Sequence, residues 1–262
     1  MVLFGKVEIF VWISFFCNIL VYIWKLQVTI LETDMFTRYA VYFSPIPNSP
    51  LAKFGNSWLG WDINSAVMVE RPNLHDFSQS IESLTESPQK YGFHGTLKAP
   101  FYLRDGIEID ELHQFCISFA KARTPFVIGR LQISCLGNFL ALTEREPSAD
   151  LAQLAGDIVV EFDKFRAPQT EKEIARRLKS NLSRQQEHLM HRWGYPYVLD
   201  EFRFHLTLTG RLRDAEIAGV QHALTLKLMT ILTDPITVGD ICLCGQRHDE
   251  RFEIITRFPL GG

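Results

Sequence analysis

Tyr91-Gly-Phe-His94-Gly-Thr96-Leu-Lys98 and Phe202-Arg-Phe-His205-Leu-Thr207-Leu-Thr209 share the pattern aromatic-x-Phe-His-x-Thr-Leu. One Phe-His-x-Thr-Leu is expected by chance on the order of a hundredth of a time in a chain of this composition, so two copies mark an internal repeat. Successive side chains of a strand point to opposite faces. Phe93, Gly95 and Leu97 then share one face, and His94, Thr96 and Lys98 the other. In the second copy Phe204, Leu206 and Leu208 turn to the core, while Arg203, His205, Thr207 and Thr209 turn away from it. Each strand offers one imidazole and one hydroxyl from a rigid sheet. Two such strands packed as a pseudo-twofold pair would bring two histidines to one cleft flanked by two threonines, with Lys98 and Arg203 nearby. That is a pocket for a phosphoryl group.

Working outward from the repeat, hydrophobic periodicity predicts a strand over 39–43 and an irregular loop to about 90 that carries the aromatic patch Trp58-Leu-Gly-Trp61-Asp. A strand over 93–98, a helix over 110–122 and strands over 126–135 and 138–143 follow. The second half predicts helices over 148–164 and 171–193, a break at Gly194-Tyr-Pro-Tyr, a strand over 203–209, a helix over 214–232, and strands near 235–245 and 252–258. The order strand, helix, strand, strand occurs twice. This predicts an α+β fold: one bilobal, pseudo-twofold duplicated domain over 35–262, with lobe halves at about 35–147 and 148–262 and antiparallel sheets flanked by helices. No glycine-rich phosphate loop opens any helix, which argues against a nucleotide cofactor.

Composition narrows the function classes. The chain has 262 residues, 47% hydrophobic and 22% charged, enough apolar material for a sizeable core. A net charge of −3 gives no global positive field of the kind a non-specific nucleic-acid binder uses. Any anion must be held by a local site. The five cysteines are scattered and odd in number, which fits a reduced, cytoplasmic protein. Cys242 and Cys244 form C-x-C with no second pair to complete a zinc site, and read as core strand residues.

Residues 1–34 differ from the rest. Ile9 to Trp24 is apolar apart from Ser14 and Asn18, yet shorter than the ~20 residues a spanning helix needs. Three readings stand: a membrane anchor, a packed extra helix, or a dispensable extension translated from an upstream start. The β-like run after Met35 favours the last, with membrane anchorage following only if the segment is translated and inserted.

The wider pattern then carries a resemblance. Paired His-x-Thr motifs in a duplicated α+β chain resemble the two-histidine (2H) phosphoesterases. Arg38-Tyr-Ala-Val-Tyr-Phe, Trp58-Leu-Gly-Trp-Asp, the first repeat and the run from Arg192 through the second repeat to Leu212 are similar to an uncharacterised branch of that superfamily associated with phosphonate-utilisation operons. The resemblance implies catalytic roles for His94, Thr96, His205 and Thr207. Tyr91, Lys98, Arg203 and Thr209 are substrate-binding candidates on the strand-face reading and the branch pattern. An imidazole near pKa 6.5 serves as base in one protonation state and acid in the other, so no metal and no cofactor is required.

The expected activity is metal-independent opening of a cyclic phosphate or cleavage of a phosphodiester, on a small phosphorylated molecule such as a cyclic phosphosugar. The alternatives are an RNA-end 2′,3′-cyclic phosphodiesterase and a non-catalytic binder of phosphorylated ligands. No obligate protein partner is implied. Simpler readings compete at the lesser sites. Lys98 and Arg203 could each pair with a carboxylate such as Asp200 or Glu201. His188 and His191 lack metalloprotease spacing and suit the exposed end of a helix. Arg176, Arg177, Lys179 and Arg184 suit a solvated face. Trp58 and Trp61 suit either base stacking or core packing.

Overall fold

Arg38–Phe43 forms β1, whose alternation sends Tyr39, Val41 and Phe43 to one face and Ala40 and Tyr42 to the other. The computed structural model describes residues 36–72 and 80–261, so the apolar segment 1–34 lies outside the described residues. After β1, the stretch expected to be an irregular loop contains two helices. In α1 (Pro50–Leu59) the Ser49 hydroxyl accepts the Ala52 N–H, proline opens the first turn, and Gly60 at φ 72° closes the end. The short strands β2 (Trp61–Asp62) and β3 (Val67–Met68) pair with each other, and α2 (Ile81–Gln89) starts at the Ser80 cap.

Then come β4 (Gly95–Phe101), α3 (Ile109–Lys121), β5 (Phe126–Ile128), β6 (Leu131–Leu136), β7 (Phe139–Glu144) and α4 (Ala149–Glu161). The helix expected over 171–193 is two: α5 (Glu171–Leu178) and α6 (Arg184–Trp193). Asn181 at φ 49° and a fresh capping box at Ser183 interrupt it. The chain closes with β8 (His205–Thr207), α7 (Asp214–Leu228), β9 (Ile236–Val238), β10 (Asp240–Gln246) and β11 (Phe252–Pro259).

Seven strands form one sheet in the order β11-β10-β1-β4-β8-β7-β6, every neighbouring pair antiparallel. The α+β fold is therefore the one expected. The expected halves merge through β4 and β8, and they exchange hairpins. The β6–β7 hairpin of the first half pairs with β8 of the second, while β10–β11 of the second half pairs with β1 of the first.

The helices bury their apolar residues on one sheet face, where Phe93, Leu97, Phe204, Leu206 and Leu208 meet Leu112, Phe119, Leu154, Ile158, Leu224 and Leu228. The opposite face carries a smaller cluster of Ala40, Tyr42, Trp61, Ile63, Cys242, Cys244 and Phe252. Both tryptophans of the aromatic patch are structural. Trp58 is fully buried and donates through Nε1 to the Leu208 carbonyl at 2.7 Å, while Trp61 donates to that of Phe252 at 2.8 Å. Cys242 and Cys244 are buried strand residues. His188 and His191 are exposed on α6. Among the described residues no helix is long and apolar enough to cross a membrane.

Candidate active site

The site is built where β4 and β8 meet. Gly95 stands opposite Leu206, and antiparallel pairing from that point sets His94 against Thr207 and Thr96 against His205. The two motifs thus lie face to face on adjacent strands, each imidazole beside the other motif's threonine. Gly95 is what lets the strands come this close on the core side: a Cβ there would lie 2.4 Å from the Phe204 ring. Trp58, hydrogen-bonded to the backbone just past Thr207, braces the second strand from the helix layer.

Each histidine is oriented by the carbonyl two residues before it. His94 Nδ1 lies 3.0 Å from the Gly92 oxygen, and His205 Nδ1 lies 2.8 Å from that of Arg203. These bonds select the Nδ1–H tautomer in both neutral rings and leave Nε2 as the unprotonated nitrogen. The Thr96 hydroxyl donates to His94 Nε2 at 3.0 Å. Gly92 makes its contact from φ +69°, a left-handed turn where a Cβ would also strike Ile63. Burial pushes His94 down to about 4, the Gly92 carbonyl opposes that shift, and the nearby His205 adds to it. Burial also lowers His205, against the pull of the Arg203 carbonyl.

Two cavities open on this face and share Phe139 as a wall. One of about 220 Å³ is lined by Tyr91, His94, Thr207 and Arg211 among others. The other, of about 450 Å³, is lined by Thr96, His205, Arg203, Tyr195 and Tyr197. Aromatic rings flank both imidazoles. Tyr42 stacks on His94 with centroids 3.8 Å apart, and Phe139 tilts against His205 at 5.9 Å.

His94, Thr96, His205, Thr207, Tyr91 and Arg203 therefore gather at the cleft, and Arg203 has no carboxylate within salt-bridge distance among the described residues. Lys98 does not. Register shifts between β1 and β4 place Val41, a core residue, opposite Lys98 while Tyr42 stands opposite Thr96, so one extra residue sits in β4 between them. That bulge turns Lys98 to the helix side. Its ammonium bonds the Val159 carbonyl at 3.1 Å and lies 3.7 Å from Asp163, and burial lowers it to about 8 against the pull of Asp163. The predicted partner type, a carboxylate, is right; the carboxylate is neither Asp200 nor Glu201. Thr209 is corrected as well. It borders the smaller cavity but is buried, and its hydroxyl accepts the Leu140 N–H and donates to the Gly210 carbonyl. Regular pairing of β7 with β8 ends at Thr207, so Thr209 serves the backbone instead of a ligand.

Tyr42, Phe139 and Tyr195 escaped sequence reading. Tyr42 stood in a predicted strand and its face followed from alternation, but its place behind His94 depends on long-range pairing. Phe139 and Tyr195 reach the cleft from β7 and from the loop after α6. Among the described residues no group of His, Cys, Asp or Glu is arranged to hold a metal ion.

An antiparallel sheet holding two His-x-Thr pairs face to face is the two-histidine arrangement that the sequence resemblance implies. The model of the family described as "Protein of unknown function (DUF1045)" matches residues 96–253, and the chain belongs to that family. It is 40% identical over 192 residues to the "Ribose 1,5-bisphosphate phosphokinase PhnN" of Janthinobacterium sp. (strain Marseille), covering 73% of this chain and 42% of that one. It is 32% identical over 180 residues to the protein of the same name from Laribacter hongkongensis (strain HLHK9), covering 69% and 42%. The chain thus spans less than half the length of these curated relatives. Solved structures similar to it include a phosphoesterase, at 14% identity and TM-score 0.40, with 86% of this chain and 98% of that one covered. Another is E. coli LigT complexed with 3′-AMP, at 13% identity and TM-score 0.41, with the same coverage.

Proposed function

We propose that this chain is a phosphodiesterase that opens a small cyclic phosphate by two-histidine acid–base catalysis. The observation that carries the reading is the pair of imidazoles on adjacent strands, each with Nδ1 committed to a carbonyl and Nε2 unprotonated, that of His94 receiving the Thr96 hydroxyl. The phosphoryl group sits between them, with the Thr207 hydroxyl, and the Thr96 hydroxyl once it turns from His94 Nε2 to the substrate, donating to its non-bridging oxygens. His94, the imidazole held down to about 4, is neutral at working pH and takes a proton from the attacking water through Nε2. The water oxygen bonds to phosphorus, the bond to the ring ester oxygen breaks, and His205 gives that oxygen its proton. The product is a phosphate monoester beside a free hydroxyl. Arg203, exposed on the rim beside His205, offsets the charge on the phosphoryl oxygens.

The curated relatives are named for action on a phosphorylated ribose, which supports a cyclic phosphosugar as substrate. A role on RNA ends is favoured where the basic helix and the tryptophans line the cleft; both tryptophans are buried in the core, and of the basic residues Arg177 lies against Tyr195 of the larger cavity.

The test is a panel of cyclic nucleotides, cyclic phosphosugars and RNA ends assayed with the full chain in EDTA. At least one small cyclic phosphate should be hydrolysed, with kcat/KM bell-shaped in pH. The rate falls on the acid side as His94 is protonated. It falls on the alkaline side as His205 loses its proton, and burial of both rings places the maximum below the ordinary imidazole value of about 6.5. Activity lost in EDTA and restored by a divalent ion, or a maximum well above pH 8, would contradict the mechanism.

A further inference from the structure

Beside His94 lies a group of hydrogen-bond donors that the mechanism leaves unused. Arg177, half-buried on α5, has its guanidinium carbon 4.8 Å over the ring of Tyr195, a wall residue of the larger cavity. Among the described residues no carboxylate comes within salt-bridge distance of it. The acid one turn earlier, Glu173, is committed to the backbone and hydroxyl of Thr170 at 2.9 Å each. Of the other partly buried arginines, Arg166 pairs with Asp163 and Arg257 with Asp240, while Arg38 bonds the Gln246 side chain. A half-buried cation without a counterion is costly unless a ligand supplies one.

The second observation is Tyr42. Its ring is stacked on His94, and its hydroxyl is buried with no hydrogen-bond partner. Tyr91 and Tyr195 lie close enough to act on its ionisation, and Arg177 is close enough to both to feel theirs. Burial keeps the phenols of Tyr42 and Tyr195 protonated, and therefore donors. A guanidinium and three phenols, with Glu173 near enough to act on Arg177 but held by Thr170 and beyond ion-pair distance, match an oxyanion. The phosphoryl group under attack is already held between Thr96 and Thr207.

We infer that the substrate carries a second, non-reacting phosphate monoester, which Arg177 and the hydroxyls of Tyr91, Tyr195 and Tyr42 bind beside the catalytic histidines. This rests on the diesterase reading and names its substrate class, a cyclic phosphate on a scaffold already phosphorylated elsewhere. A dianion with three terminal oxygens uses these donors better than a carboxylate does.

The experiment compares kcat/KM of the full chain for adenosine 2′,3′-cyclic phosphate with and without a 5′-phosphate. The 5′-phosphorylated compound should be preferred by about tenfold or more, the worth of charge-assisted bonds. Arg177→Met should bring the ratio of the two toward one, and Arg177→Lys should retain part of it. A ratio near one in the unaltered protein, or a preference that persists in Arg177→Met, overturns the inference. If neither compound is hydrolysed, the diesterase reading fails separately, and the anion site is then read by calorimetry with ribose 5-phosphate. Binding weakened about tenfold by Arg177→Met supports it, and binding that is absent or unchanged in the variant overturns it.

Discussion

Alanine at His94 or at His205 is expected to lower kcat by about two to four orders of magnitude, the usual size of a general acid or base contribution. The double variant should lose little more than the worse single one. One imidazole can complete its proton transfer only while the other holds the complementary state, and groups that act as a unit are strongly non-additive. The fold should survive, because both rings are only partly buried and their partners are two local carbonyls and one hydroxyl. Steady-state kinetics and thermal unfolding on the three variants check this. Losses that multiply across the two positions would mean that the histidines serve separate events.

The largest stability effect is expected at Asp163, which no sequence motif marks. Its carboxylate lies 3.7 Å from the Lys98 ammonium and 2.8 Å from Arg166. Asp163→Ala leaves a lysine with a side chain only 4% exposed facing one carbonyl. Stranding a buried charge in this way costs about 3 kcal/mol or more. Lys98→Met removes the charge together with its need for a partner and should be nearly neutral in denaturant unfolding. Its KM for any cyclic phosphate should be unchanged, because the side chain faces the helix layer. A Lys98→Met enzyme with KM raised tenfold would return that residue to the cleft. An Asp163→Ala protein as stable as the original would show the pair to be dispensable.

The contrast between Lys98 and His94 shows where sequence reading holds. Alternation is a local rule, and from Phe93 to Leu97 it assigns faces correctly because the strand is regular. One residue later the bulge against β1 reverses the face, and a bulge arises from the pairing of two strands far apart in the chain. Thr209 fails for a related cause, since β8 stops at Thr207 and the backbone takes the next hydroxyl. The helices α1 and α2 were obscured differently. Ser49-Pro50 and Gly60 are helix start and stop signals, yet in a stretch rich in Pro, Asn and Ser they read equally as turn residues. The repeat stood out because the same residues recur in the same order in two strands. The rings that enclose it, Tyr42 and Phe139, come from separate strands, and Tyr195 comes from a loop.

The central claim is that His94 and His205 face one phosphoryl group. Imidazole-nitrogen NMR of the histidine-labelled full chain, titrated with inorganic phosphate, tests it most directly. Both rings should begin as Nδ1–H tautomers at neutral pH, and their Nε2 signals should shift together along one saturation curve while those of His188 and His191 stay put. Movement of only one ring, or two curves with different midpoints, would contradict the claim.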